Sequence, residues 1–133
     1  MRTTRSNPDT VAAPIGSYSQ SVRVETADAV WIYVSGQIAV DVDGNLVGPG
    51  DLRAQTRQVF ENLRAILEAH GATFANVVKI GTYVTTLEDL DGMREVRGAY
   101  LASELPASTA VQVAALVVPD AMIEIDLVAV VPA

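Results

Sequence analysis

Glu124 and Asp126 lie two residues apart in the run Met122 to Val131, which reads as a strand, so their carboxylates project from one face about 7 Å apart. On that face they precede Val128 and Val130. Acids at the rim of an apolar surface are candidates for a partly desolvated acid or base; the same spacing also suits acids that face water or pair with an arginine at the sheet end. Other reactive types are scarce. One histidine and no cysteine remove thiolate nucleophiles, Cys-His arrangements and zinc-ligand sets. That histidine, His70, sits in the last turn of a helical segment, where a cation meets the negative end of the helix dipole, so capping is expected of it ahead of catalysis. Tyr18 is either a half-buried aromatic with a wet hydroxyl or a ligand contact. Asp41, Asp43, Gly44 and Asn45 have the composition of a calcium loop, but the glycine falls too early and the closing glutamate is missing, so a hairpin turn is expected there. No Walker, GxGxxG or GxSxG pattern occurs, and neither a metal nor a cofactor is expected.

Composition narrows the classes further. The 133 residues suit one domain spanning 1–133, and 50% hydrophobic with 5% aromatic residues describes an aliphatic core. A formal net charge of -7 repels a phosphate backbone, which disfavours nucleic acid as a partner. No apolar run approaches the ~20 residues of a membrane span, and the polar start MRTTRSNPDT lacks the apolar core of a secretory signal, so a cytoplasmic location is expected.

The most regular element available to position these residues is Asp51 to Gly71. Leu52, Val59, Phe60, Leu63, Ile66 and Leu67 recur at three- and four-residue steps, which predicts an amphipathic helix whose buried side chains are all hydrocarbon. Asp51 is placed to cap its start and Gly71 to end it. Residues 1 to 20 read as an arm lying over the domain, followed by a short strand near Ser21 to Glu25 and a long one over Ala29 to Val40. Asn76 to Thr85 reads as the next strand. Thr85-Thr86-Leu87-Glu88 predicts a capping box opening a second helix with Leu90, Met93, Val96 and Tyr100 on one face. Thr109 to Leu116 and Met122 to Val131 are the last strands, separated by a turn near Pro119-Asp120.

This order predicts an α+β sandwich with two helices on one face of a mixed sheet. Both faces of the long strands are largely uncharged, and two helices cover only one. The second face is therefore expected to be buried against other copies of the chain in a closed ring.

Four short runs, Ile15-Gly16-Ser17-Tyr18-Ser19-Gln20, Val34-Ser35-Gly36-Gln37-Ile38, Pro106-Ala107-Ser108-Thr109-Ala110-Val111 and Ile123-Glu124-Ile125-Asp126, resemble in order and spacing the reactive-intermediate deaminase (Rid, YjgF-like) family. The likeness covers nearly the whole chain. It implies a chorismate-mutase-like fold, a homotrimer with clefts between subunits, and cofactor-independent hydrolysis of small enamines and imines to a carbonyl compound and ammonia. On this resemblance Glu124 and the backbone carbonyl of Ala110 position the attacking water. Tyr18, Ser35, Gly36 and Thr109 line the cleft.

One position departs from the resemblance. Where the family's deaminases hold the substrate carboxylate with an arginine, this chain has Ser108, which can donate one neutral hydrogen bond; a lost charge-assisted contact costs about 1.5–3 kcal/mol. Arg94, on the second helix, either supplies a displaced cation or is an exposed arginine paired with a nearby acid. The readings are thus a hydrolase of altered substrate preference or a non-catalytic module binding a small metabolite between subunits. An endoribonuclease is a weaker third, opposed by the acidic balance.

Overall fold

The computed structural model describes residues 1–133. In helix α1 (Leu52–Ala69) the stripe Leu52, Val59, Phe60, Leu63, Ile66 and Leu67 is wholly buried, as its spacing requires. It lies across strands β3 (Ala29–Gln37) and β6 (Ile123–Pro132), whose alternate residues Val30, Ile32, Val34, Ile123, Ile125, Leu127 and Ala129 complete the core. The side chain of Asp51 accepts a hydrogen bond from the Ala54 amide at 3.0 Å, and Gly71, at φ +69°, takes the left-handed conformation that ends the helix.

The remaining strands are β1 (Arg2–Ser6), β2 (Ser21–Glu25), β4 (Val77–Val84) and β5 (Ala107–Gln112), and the sheet order is β1-β2-β3-β6-β4-β5. Only β4 and β5 are parallel, joined by a crossover through helix α2 (Leu90–Tyr100), so the sheet is mixed. Both helices lie on one face and pack against each other, giving the α+β architecture expected from the element order. Strand β6 runs between β3 and β4, which places Glu124 near the middle of the sheet.

Four local expectations are corrected. Residues 1 to 20 are not all arm: Arg2 to Ser6 pair with β2 from Arg2↔Glu25 to Ser6↔Ser21. The strand was hidden because an edge strand with neither face buried has no apolar alternation. The buried side chains of α1 are not all hydrocarbon, since Gln55, Thr56 and Asn62 are enclosed. Gln55 donates to the carbonyls of Gly48 and Asp120 and accepts from the Met122 amide at 2.7 Å, while Asn62 donates to Ile38 and Val40, so these amides satisfy loop backbone that water cannot reach. The capping box before α2 does not form. Asp89, at φ +55°, precedes the helix, and Thr86 Oγ1 accepts from the Glu88 amide in a turn instead. Strand β5 stops at Gln112 rather than Leu116.

His70 keeps the capping place expected of it. It stands at the C-cap, but burial and then the Arg23 guanidinium push its pKa below the usual 6.5. Its Nε2 lies 2.8 Å from Ser21 Oγ. Ser21 Oγ lies 2.9 Å from Ser6 Oγ, so this group ties β1 and β2 to the end of α1. The unfolded chain takes up the proton first. The stabilisation is therefore complete above pH 6.5 and is lost as pH falls through the lower folded value. Protection of the β1 and β2 amides from hydrogen exchange is expected to fall between pH 7 and 5, so that their exchange slows less than the intrinsic rate does, and a His70→Asn variant is expected to lose that dependence.

The sheet face away from the helices carries exposed Trp31, Tyr33 and Val111, with Val128 and Val130 half-buried and nothing from the same chain over them.

Candidate active site

A bulge sets the geometry of the site. Val34 pairs with Leu127 and Gln37 with Ile125, so Ser35 and Gly36 together oppose one residue of β6. The extra residue turns Gly36 toward the Glu124 carboxyl, and a Cβ at Gly36 would lie 2.7 Å from Glu124 Cδ and 2.9 Å from Oε2. The Ser35 hydroxyl donates to the Ser19 carbonyl at 2.6 Å, and the Ser35 amide donates to the Gln20 carbonyl at 2.9 Å. These bonds hold the segment bearing Tyr18, whose hydroxyl accepts from the Ile15 amide at 3.3 Å. Tyr18, Ser35, Gly36 and Glu124 thereby line one cleft of about 330 Å³, with Gly16 and Val117 on its walls.

Glu124 is the titrating group of this cleft. Burial, and secondarily the Asp126 carboxylate, raise its pKa above 4.5. Asp126 points from the same face, as the spacing predicts, and accepts from the Tyr83 hydroxyl at 3.3 Å. One acid is anchored and the other faces the cleft, which gives two chemically alike residues different duties.

The other candidates occupy a different place. Register across the sheet runs Glu124, Tyr83, Val111 in one row and Ile125, Thr82, Ala110 in the next. Ala110 and Ser108 therefore share the helix side of the sheet, whereas Glu124 is on the open side and two strands away, about 9.5 Å across the ladder. Thr109 is on the open side, where its hydroxyl accepts from Lys79 Nζ at 3.0 Å. The chain thus brings Tyr18, Ser35, Gly36 and Glu124 together and sets Ser108, Thr109 and Ala110 apart on the exposed edge strand.

Arg94 does not approach Ser108 within the chain. Its guanidinium is exposed and lies 3.7 Å from Asp91, one helical turn back. The cation at Ser108 is Arg97, whose Nη2 donates to Ser108 Oγ at 3.1 Å. Sequence reading passed over Arg97, because only the crossover through α2 brings it to the edge strand.

Residues 9–131 match the family described as Endoribonuclease L-PSP, the YjgF/Rid proteins. The chain belongs to this Rid family. It is 40% identical over 116 residues to a RutC family protein of Pyrococcus abyssi, covering 87% of each chain. It is also 40% identical over 118 residues to the 2-iminobutanoate/2-iminopropanoate deaminase of Rattus norvegicus, covering 89% of this chain and 82% of that one. Among solved structures, a Rid protein of unknown function from Yersinia pestis superposes with a TM-score of 0.88 at 30% identity, over 98% of this chain and all of that one. The two-helix, mixed-sheet architecture is thus the Rid fold.

Within this Rid chain the contact between Gly36 and Glu124 gives a separable test. Gly36 has no strained φ, and the obstructing atoms are the end of a flexible side chain. A Gly36→Ala variant is therefore expected to stay within about 1 kcal/mol of the parent in denaturant unfolding. It is expected to lose roughly 10²-fold in any Glu124-dependent rate, because displacement of a reacting group by about 1 Å costs that much.

Proposed function

We propose that the chain is a cofactor-independent hydrolase that converts a small imine or enamine to a carbonyl compound and ammonia. The observation that carries this reading is Glu124, with its raised pKa, in a cleft shared with Tyr18, Ser35 and Gly36. A base whose pKa is moved toward neutrality both takes and returns a proton readily. In the proposed step Glu124 accepts a proton from water, the water oxygen bonds to the imine carbon, and the imine nitrogen is protonated. The resulting carbinolamine loses ammonia as its C–N bond breaks and C=O forms, so imine plus water balances carbonyl plus ammonia. The rat relative's name as a 2-iminobutanoate/2-iminopropanoate deaminase supports this class of substrate.

The site is completed by a second copy. Ser108, Thr109 and Ala110 on the edge strand and Glu124 on the open face do not meet in one chain, and the uncovered Trp31, Tyr33 and Val111 offer an apolar surface for association. We therefore read the assembly as a homotrimer, with the Ala110 carbonyl of one subunit and Glu124 of the next holding the water. Sedimentation at micromolar concentration is expected to reveal no folded monomer. Substrate binding departs from the family pattern at Ser108, which stands where the family resemblance calls for an arginine. RNA hydrolysis, which the family description names, fits poorly with a net charge of -7 and a cleft whose only ionisable carboxyl is Glu124.

The test is release of ammonia and 2-oxo acid from imines generated in situ. Acceleration by the wild type that is abolished in Glu124→Gln supports the hydrolase. Saturable binding of the same compounds without turnover would replace it with a metabolite-binding trimer.

A further inference from the structure

Arg97 is a half-buried guanidinium with no acid to neutralise it. Arg2, Arg23, Arg53, Arg64 and Arg94 all form ion pairs with carboxylates; Arg5, Arg57 and Arg97 form none, and of these three only Arg97 is partly buried. Its one hydrogen bond goes to the neutral Ser108 hydroxyl, which leaves most of its five N–H donors free. Burial lowers its pKa, and no acid offsets that effect. A partly desolvated cation without an acid beside it is stabilised when an anion binds.

We propose that Arg97, with the Ser108 hydroxyl as a second donor, is the anchor for the substrate's carboxylate, so that the chain takes an acidic imine. This rests on the hydrolase reading and names its substrate class. The planar fork of a guanidinium matches a carboxylate with two parallel hydrogen bonds. Ser108 stands two residues before Ala110 on β5, so the Arg97 fork lies at the same edge strand as the carbonyl placed beside the water. Ser108 turns Arg97 toward the strand and keeps a short side chain out of the acid's way. The departure from the named deaminases is then in the element that supplies the cation, a helix instead of a strand, and not in the charge of the substrate. Arg97 acts here as a specificity-determining residue; proton transfer stays with Glu124.

Calorimetric titration of the full chain with 2-oxobutanoate and with its uncharged amide, 2-oxobutanamide, tests the proposal. The wild type is expected to bind the acid more tightly than the amide. Arg97→Met is expected to weaken the acid by about 10- to 100-fold while the amide binds both proteins alike. Arg97→Lys, which keeps the charge without the fork, is expected to fall between them. Equal affinity of wild type and Arg97→Met for the acid, equal losses for acid and amide, or no acid binding by the wild type at millimolar concentration would each overturn it. The imine assay separates the two readings. Glu124-dependent turnover with unaltered acid binding in Arg97→Met rejects the anchor and keeps the hydrolase. Selective loss of acid binding without any Glu124-dependent turnover rejects the hydrolase and keeps the anchor.

Discussion

Glu124→Gln is expected to lower the turnover of an accepted imine by about 10²- to 10⁴-fold, the usual contribution of a positioned general base. Glutamine keeps the size of the side chain and its contact with Gly36 but accepts no proton, so binding of substrate survives in the variant. The wild-type rate carries a second signature. Turnover requires ionised Glu124, and burial with the Asp126 charge raises its pKa, so the acid limb of the pH profile lies above the 4.5 of an ordinary glutamate. Asp126→Asn removes the smaller of the two causes and is expected to move that limb part of the way back toward 4.5. Stability responds in the opposite sense to most carboxylates. A carboxyl whose folded pKa is raised binds its proton more tightly in the folded chain, so its ionisation destabilises the fold as pH rises through that window. Glu124→Gln is therefore expected to be more resistant to urea than the wild type at pH 7, with the gain vanishing below the unfolded pKa. A rate profile independent of residue 124 would remove the proposed mechanism.

Phe60→Ala is expected to destabilise the fold by about 3–5 kcal/mol, the largest single loss among the core positions. The ring is fully enclosed, stacks on Tyr100 of α2 at 4.9 Å between centroids, and meets Phe74 at 5.7 Å. Phe74 in turn meets Tyr100 edge-on at 5.7 Å, and Arg64 lies over the Tyr100 ring at 5.1 Å. Truncation removes the transfer free energy of the ring and leaves a cavity lined by three elements that cannot all close inward. A drop in melting temperature of roughly 10–20 °C is the corresponding thermal result. Phe60→Leu, which refills most of the volume, is expected to cost much less. Because Tyr100 shares α2 with Arg97, the alanine variant is also expected to weaken acid binding below its melting transition.

How far the sequence could be read followed from which force shaped each part. The α1 stripe was legible because burial against a sheet imposes a 3.6-residue period that polar residues do not break in bulk. Glu124 and Asp126 were legible as a pair because strand alternation fixes which side chains share a face. The edge strand β1 was not, since it is held by backbone pairing and polar side chains and RTTRS has no apolar member. Gln55 and Asn62 were not legible as buried, because nothing local tells an amide that satisfies a distant loop carbonyl from one that meets water. Arg94 and Arg97 are three residues apart on one helix, and periodicity cannot say which of them the returning strand will meet. The β3 bulge was also silent, although it is what brings Gly36 to Glu124.

Gln55 has a consequence for mutational screening. Its single amide joins Gly48, Asp120 and Met122, and Met122 is two residues before Glu124, so both loops are indexed to α1 by one side chain. In a library selected on activity alone, position 55 will look as intolerant as the cleft itself. Refolding yields, not rates, will tell the hinge pin from the reagent.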